Sequence, residues 1–216
     1  MSERKTKKPI IMASSAVYGI EELLERVYSL LTAFGYDVWM SHKGTMPVIS
    51  MKTAFRNCLD AVEECDLFLG ILTPWYGSGV AEAGGASIVH QELRKAIELN
   101  KPRWLLSHDH VVFARSLLRD LGYTSPEARA TLKLRKDSKV FGDLRVIDMY
   151  EEAILSDQPL ESRKGNWVQK FGSDAEALLF ATAQFSRYQE VEAFLKENFS
   201  DPGRVAARTT KKGEGS

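Results

Sequence analysis

The sequence has no excess of charge of either sign. Lysine and arginine together number 29, as do aspartate and glutamate, so the 216-residue chain has a formal net charge of zero. General nucleic-acid binding depends on basic side chains that neutralise phosphates, so this balance argues against nucleic acid as a partner. A small charged ligand needs only a local site and is not excluded.

Cysteine is also scarce. The two cysteines, Cys58 and Cys65, lie seven positions apart. On one helix that spacing places them two turns apart, which is too far for a disulfide. We expect both to be buried apolar residues in a reducing compartment, with no metal or redox role.

Long apolar runs are missing. No window approaches the ~18 apolar residues that a membrane-spanning helix needs. The basic residues 1–8 are followed only by the short apolar run Ile10–Ala13, whereas a signal peptide needs an apolar stretch of about 7–15 residues. These absences predict a cytoplasmic protein without a membrane partner. Residues 1–8 and 201–216 are polar and are expected to form flexible tails.

Four common catalytic motifs are absent from the sequence. There is no G-x-x-x-x-G-K-[ST] phosphate loop, no G-x-G-x-x-G after the first apolar run, no H-E-x-x-H and no G-x-S-x-G. The absences argue against a P-loop NTPase, a Rossmann dehydrogenase, a zinc protease and a serine hydrolase.

Short apolar runs alternate with helical patterns in the first half. Strands are predicted at Pro9–Ala13, Tyr36–Ser41, Leu67–Leu72 and Arg103–Leu106, and helices at Ile20–Phe34, after Thr53 and at Ser87–Asn100. This order is typical of a parallel sheet covered by helices, in which ligands bind beyond the C-terminal ends of the strands. We therefore predict an α/β domain core over residues 9–110.

The second half has a weaker pattern. Residues 111–200 are predicted to be mostly helical and to complete the core or pack on it. The expected elements are a helix at His110–Leu121, a late strand at Leu144–Ile147, a short helix at Tyr150–Leu155 and one long helix at Asp174–Phe199. The long helix would pack on the domain or form a subunit contact.

Glu92 is the residue most expected to carry chemistry. On a helical wheel it shares the apolar face of Ile88, Val89 and Ala96, or its margin. A carboxylate there is partly desolvated, which raises its pKa unless it has a partner, and raised carboxylates serve acid–base chemistry. The alternative is a structural glutamate that bonds a loop amide or pairs with an arginine.

Two other segments follow predicted strands. Trp75 and Tyr76 stand beside glycines, an arrangement that suits a flat ligand, although both rings could instead anchor the loop. The hydroxyls of Ser14 and Ser15 could hold a ribose or phosphate, or cap the next helix. In His108-Asp109-His110 two histidines alternate, but no further ligands lie at metal spacing, so no metal site is predicted.

Three of these segments together resemble a known family. They are Cys65-Asp-Leu-Phe-Leu-Gly-Ile-Leu, Trp75-Tyr-Gly, and Ser87-Ile-Val-His-Gln-Glu-Leu-Arg-Lys-Ala-Ile-Glu-Leu-Asn-Lys-Pro102. They are similar to the TIR-like domain of unknown function found at the N-terminus of STAND-type NTPases. Ser14-Ser15 and Glu25-Arg26 also match that family, and the resemblance covers roughly residues 9–110. The NTPase half is absent from this sequence.

The resemblance implies a flavodoxin-like sheet and a glycosidic chemistry. Enzymatic TIR domains cleave the nicotinamide–ribose bond of NAD with one glutamate, and Glu92 falls on that position in Val89–Leu93. Nucleoside deoxyribosyltransferases use a glutamate of the same architecture as nucleophile. Ile88 stands where TIR enzymes carry a tryptophan, so base stacking at that position is not expected.

The resulting hypothesis is a TIR-like glycohydrolase of NAD or a related nucleotide. Glu92 would be the catalytic carboxylate, NAD a substrate with no separate cofactor, and assembly into a homo-oligomer or with a partner protein part of the mechanism. Substrate contacts are assigned to Ser14, Ser15, Trp75, Tyr76 and Ser87. The alternatives are a non-catalytic TIR-like module that signals by self-association, and a deoxyribosyltransferase-like enzyme.

Overall fold

A parallel five-stranded sheet forms the centre of the protein. The computed structural model describes residues 8–77, 79, 85–187, 190 and 193. Within them the strands are β1 (Ile10–Ser15), β2 (Asp37–Trp39), β3 (Leu67–Leu72), β4 (Arg103–His108) and β5 (Val168–Phe171). Their order is β2-β1-β3-β4-β5 with every neighbouring pair parallel. This is the flavodoxin-like order of a doubly wound α/β fold.

Helices cover both faces of the sheet. They are α1 (Glu21–Ala33), α2 (Ala54–Glu64), α3 (Ile88–Glu98), α4 (Asp109–Asp120), α5 (Pro126–Ala130), α6 (Arg145–Ala153) and α7 (Asp174–Phe185). Side chains of α1 and α7 pack on one face, and side chains of α2, α3, α4 and α6 on the other. No helix in the described ranges is long and apolar enough to cross a membrane.

Alternation along β1 decides which side chains face α3. Ile10 and Met12 pack in the core on the α2 and α3 side, whereas Ile11 and Ala13 pack with α1. A strand has a side-chain period of two, so Ser14 follows Met12 onto the α3 side. The serines are therefore the last two residues of β1, not the start of a loop as the sequence pattern predicted.

The predicted helix starts are confirmed at two capping residues. Thr53 Oγ1 accepts a hydrogen bond from the Arg56 amide at the start of α2, and Ser87 Oγ accepts one from the His90 amide at the start of α3. Such caps satisfy amides that have no partner within the helix. Both cysteines are buried with free thiols, as expected.

One strand prediction in the second half is wrong. Leu144–Ile147 is not a strand, because α6 begins at Arg145, and the buried Val146, Ile147, Met149 and Ala153 follow helical spacing. The strand in this region is β5, which lies at the sheet edge and carries half-exposed polar residues, so its sequence shows no apolar run.

The predicted long C-terminal helix is shorter than expected. Within the described residues α7 ends at Phe185, and Ser186 is its C-cap. Tyr188, Leu195 and Phe199 of the predicted stripe lie outside the described residues. So do the predicted tails, residues 1–8 and 201–216, apart from Lys8.

We expect Gly70→Ala to destabilise the fold by overpacking. Gly70 lies in the middle of β3, and a Cβ there would stand 2.7 Å from Leu105 Cδ2 and 3.2 Å from Phe68 Cε1. Overpacking of this kind costs about 1–3 kcal/mol. Urea denaturation would show a lower midpoint with an unchanged slope.

The matched control is the double variant Gly70→Ala/Leu105→Val. Shortening Leu105 removes the methyl group that collides, so the double variant should lose less stability than the sum of the two single variants. Strict additivity would show that the contact between these two side chains is not the cause.

Candidate functional site

A cavity of about 560 Å³ opens at the C-terminal edge of the sheet. Its wall comes from the segments that follow β1, β2 and β3, from the start of α3 and from the loop before α6. The lining residues are Ser15, Ala16, Val17, Tyr18, Ser41, Trp75, Tyr76, Gly77, Gly79, Ile88, Val89, Glu92, Gly142 and Asp143. Cavities of this size and mixed character accommodate nucleotide-sized ligands.

Glu92 lies at the buried end of this cavity. Its exposure is only 3%, because it shares the face of α3 that carries Leu93 and Ala96. Ser14 Oγ donates a hydrogen bond of 2.5 Å to Glu92 Oε2, and the Cys58 thiol is a second donor. The glutamate is thus held by β1 and α2, not by a loop amide or an arginine.

Burial controls the protonation of both Glu92 and Cys58. Desolvation raises the pKa of Glu92 to about 7, against the opposing hydrogen bonds from Ser14 and Cys58. Desolvation and the neighbouring Glu92 raise the pKa of Cys58 to about 12, so the thiol keeps its hydrogen and remains a donor. Near neutral pH the carboxyl group therefore exchanges a proton readily, as acid–base chemistry requires.

Aromatic rings form the outer part of the cavity. The Tyr18 and Trp75 rings meet edge to face at a centroid distance of 4.6 Å. The Trp75 ring is also close to Gly142, where a Cβ would stand 2.5 Å from Trp75 Cε3. A side chain at position 142 would displace the indole, so this glycine allows the loop before α6 to close against it.

Tyr76 is fixed by buried polar contacts. Its hydroxyl lies 2.6 Å from His90 Nδ1, and the Arg145 guanidinium lies over its ring at 4.5 Å from the centroid. His90 Nε2 lies 3.0 Å from Glu152 Oε2, in a geometry too bent for a good hydrogen bond. Burial alone would raise the pKa of Glu152, but the hydrogen bonds from Arg94 and the close approach of His90 outweigh it and lower the pKa to about 2.

The predicted site residues do not all occupy the same place. Ser15, Trp75, Tyr76 and Glu92 line one cavity, and Ser14 supports Glu92 from behind. Ser15 Oγ donates to the Ile71 and Ala16 carbonyls, so its hydroxyl already has partners.

Ser87 has a different position from the one its assignment required. It is fully buried, it is not among the lining residues, and its hydroxyl caps α3. The sequence predicts Ser87 as a substrate contact, but its side chain lies outside the residues that line the cavity.

Sequence reasoning missed part of the cavity wall. Tyr18 and Ser41 follow β1 and β2, so the rule that ligands bind beyond parallel strands could have indicated them. Gly142 and Asp143 come from the second half of the chain, and no local pattern connects them with Glu92. Asp143 is held by Arg145, which also donates to the Gly85 carbonyl at 2.8 Å.

A second cavity of about 500 Å³ lies between α3, α5 and α6. Its central cation, the buried Arg129, is paired with Asp148 and Glu151. Glu151 also pairs with Arg115 of α4. These ion pairs join α5 and α4 to α6, so we assign this cavity a structural role.

A family model described as a domain of unknown function (DUF4062) matches residues 10–141. No curated protein matches the chain. Among solved structures, a conserved protein from Enterococcus faecalis V583 is similar over 82% of this chain and 99% of its own, with 12% identity and a TM-score of 0.40. That likeness is too distant to support an argument about the site.

Glu92→Gln is expected to remove a pH dependence of stability. The pKa of Glu92 is raised from 4.5 to about 7 in the folded protein, so the fold binds a proton more tightly than the unfolded chain between these values. Its contribution to stability is complete below pH 4.5 and is lost as the pH rises through 7, a change of about 3 kcal/mol. Urea denaturation at several pH values measures it.

The variant keeps the volume of the side chain and an oxygen for Ser14 but cannot ionise. Its unfolding free energy should therefore decline less between pH 5 and pH 8 than that of the wild type. Parallel curves for the two proteins would contradict a desolvated carboxyl group at this position.

Tyr76→Phe is expected to destabilise the protein by about 1–3 kcal/mol, because it leaves His90 Nδ1 buried without its partner. The control is Tyr18→Phe, since Tyr18 borders the same cavity with its side chain largely exposed. Thermal unfolding should show a lower midpoint for Tyr76→Phe than for the wild type, and an unchanged midpoint for the control. Equal midpoints for Tyr76→Phe and wild type would contradict an anchoring role.

Proposed function

Because the chain belongs to the DUF4062 family, whose description specifies no activity, we propose from the site itself that the protein is a TIR-like glycohydrolase of NAD or a related nucleotide. The observation that carries the proposal is the position of Glu92: a buried carboxyl group with a pKa of about 7 at the inner end of a nucleotide-sized cavity. The cavity lies at the sheet edge where doubly wound folds bind ligands.

The proposed reaction breaks the bond between the ribose C1′ and the base nitrogen. The base leaves with the bonding electrons, positive charge develops on the sugar, and water supplies the hydroxyl group that completes ADP-ribose while releasing a proton. An ionised Glu92 beside C1′ stabilises that charge or traps the sugar covalently. The Ser14 hydroxyl, which donates to Oε2, holds the carboxylate in one orientation.

Substrate binding is assigned to the outer wall. Trp75 and Tyr18 offer aromatic surface to a base, while Ile88, at the position of the TIR tryptophan, offers only an apolar contact. Ser41 and Asp143 are polar residues of the same wall, and we assign them to the sugar hydroxyls: the Ser41 hydroxyl can donate or accept a hydrogen bond, and the Asp143 carboxylate can accept one. The resemblance to TIR domains supports this arrangement.

A second candidate, a non-catalytic module that self-associates, has its own support. Phe113 and Leu117 of α4 and its C-cap Leu121 recur every four residues and are all exposed. This spacing places them on one side of the helix, and clustered exposed apolar residues are typical of contact surfaces.

The deciding measurement is the release of nicotinamide from NAD over a series of protein concentrations, with the mass of the protein followed by light scattering in the same samples. We expect release by the wild type and at least a roughly hundredfold loss in Glu92→Gln, as is typical when a positioned catalytic group is removed. Release should also fall as the pH drops below about 7, because protonation removes the charge of Glu92.

The matched control is Glu98→Gln, which changes an exposed glutamate on the same helix and should leave release unaltered. Assembly without release at any concentration would favour the self-associating module. Exchange of bases between deoxynucleosides, with NAD untouched, would favour the deoxyribosyltransferase alternative. Equal release by wild type and Glu92→Gln would contradict the assigned role of Glu92.

A further inference from the structure

A second group of reactive side chains lies at the same edge of the sheet, at the end of β4. His108 is the last residue of the strand, and Asp109 and His110 begin α4. One ligand atom from each lies within 4.8 Å of the others, and the two imidazole rings are 4.6 Å apart between centroids. The turn from strand to helix has therefore folded three consecutive residues around one small volume.

The close contact between His108 and Asp109 is not a hydrogen bond. His108 Nδ1 accepts the His110 amide hydrogen at 3.2 Å, so this nitrogen presents a lone pair. Asp109 Oδ1 nevertheless lies 2.9 Å from it, and this buried oxygen has no hydrogen-bond donor. Two atoms with lone pairs at this separation repel one another unless a cation is shared between them.

The loop after β5 leaves room for the carboxylate. A Cβ at Gly172 would stand 2.9 Å from Asp109 Oδ2, so any other residue would push against that oxygen. The same Cβ would stand 3.6 Å from Glu176 Oε2. This oxygen accepts a hydrogen bond of 2.6 Å from the Gly172 amide. The group thus has a second carboxylate nearby, contributed by a distant part of the chain.

We propose that His108, Asp109 and His110 form a binding site for a divalent transition-metal ion, with Zn²⁺ as the expected occupant. Two imidazoles and one carboxylate are the mixed nitrogen and oxygen ligands that Zn²⁺ takes in proteins, with water or a further carboxylate in the fourth position. The ion would tie the end of β4 to the first turn of α4.

A shared cation explains the unpaired oxygen. A metal ion bound to His108 Nδ1 and Asp109 Oδ1 would remove the repulsion between these two atoms. Its bond to Nδ1 would replace the 3.2 Å hydrogen bond from the His110 amide. A proton on Nδ1 would also remove the repulsion, and a titration with metal ions separates the two cases.

The experiment is titration of the chelator-treated full chain with Zn²⁺ by calorimetry and with Co²⁺ by visible absorption. The expected result is one ion per chain, with the d–d bands of Co²⁺ bound to nitrogen and oxygen. Zn²⁺ should also raise the urea midpoint, because an ion that binds only the folded state stabilises it.

His110→Ala is the main variant, because it removes one ligand but keeps the backbone amide that donates to His108. We expect binding to weaken at least roughly tenfold, since even the loss of an outer partner of a ligand has an effect of that size. Asp109→Asn, which retains shape but removes the charge, is the second variant and should weaken binding as well.

The control is His42→Ala, a histidine outside the group that should leave binding unchanged. Absence of binding by the folded wild type, or equal affinities in wild type, His110→Ala and Asp109→Asn, would overturn the proposal. A loss of affinity in His42→Ala equal to that in His110→Ala would overturn it too, by showing that Zn²⁺ binds surface histidines without a built site.

Discussion

The desolvation of the Glu92 carboxyl group is the physical constraint that gives the cavity its chemical character. A glutamate with 3% exposure loses its hydration, and among the described residues Ser14 and Cys58 are the donors that replace it. That compensation is partial, as the pKa of about 7 shows. The fold therefore keeps a group that makes the protein less stable near neutral pH, a cost that glycoside chemistry would explain and packing alone would not.

Glu92 and its two neighbours come from three separate elements, and the parallel sheet brings them together. β1 supplies Ser14, α2 supplies Cys58 and α3 supplies Glu92. Because all strands run in one direction, their C-terminal ends meet at one edge, and the segments that follow them form a single wall. The group at His108–His110 lies on this edge two strands away from Ser14. One architectural rule thus accounts for the positions of both proposed sites.

Much of the first half was predictable from sequence because its signals are local. The strand Leu67–Leu72 and the helix starts at Thr53 and Ser87 were predicted where the structure has them. These signals weaken where burial is one-sided. β5 is an edge strand without an apolar run, and the run at Leu144–Ile147 is too short to distinguish a strand from the first turn of α6.

The sequence by itself determined which residues are candidates for the site. Helical periodicity placed Glu92 on an apolar face, and the residues that share this face could be named without coordinates. Only the tertiary structure decided what each of them contacts. It made Ser14 the partner of Glu92, left Ser87 outside the cavity, brought Gly142 and Asp143 into the cavity wall, and set Gly172 against Asp109. The physical reason is that periodicity arises from covalent geometry within one element, whereas contacts between elements depend on the order and register of the whole sheet.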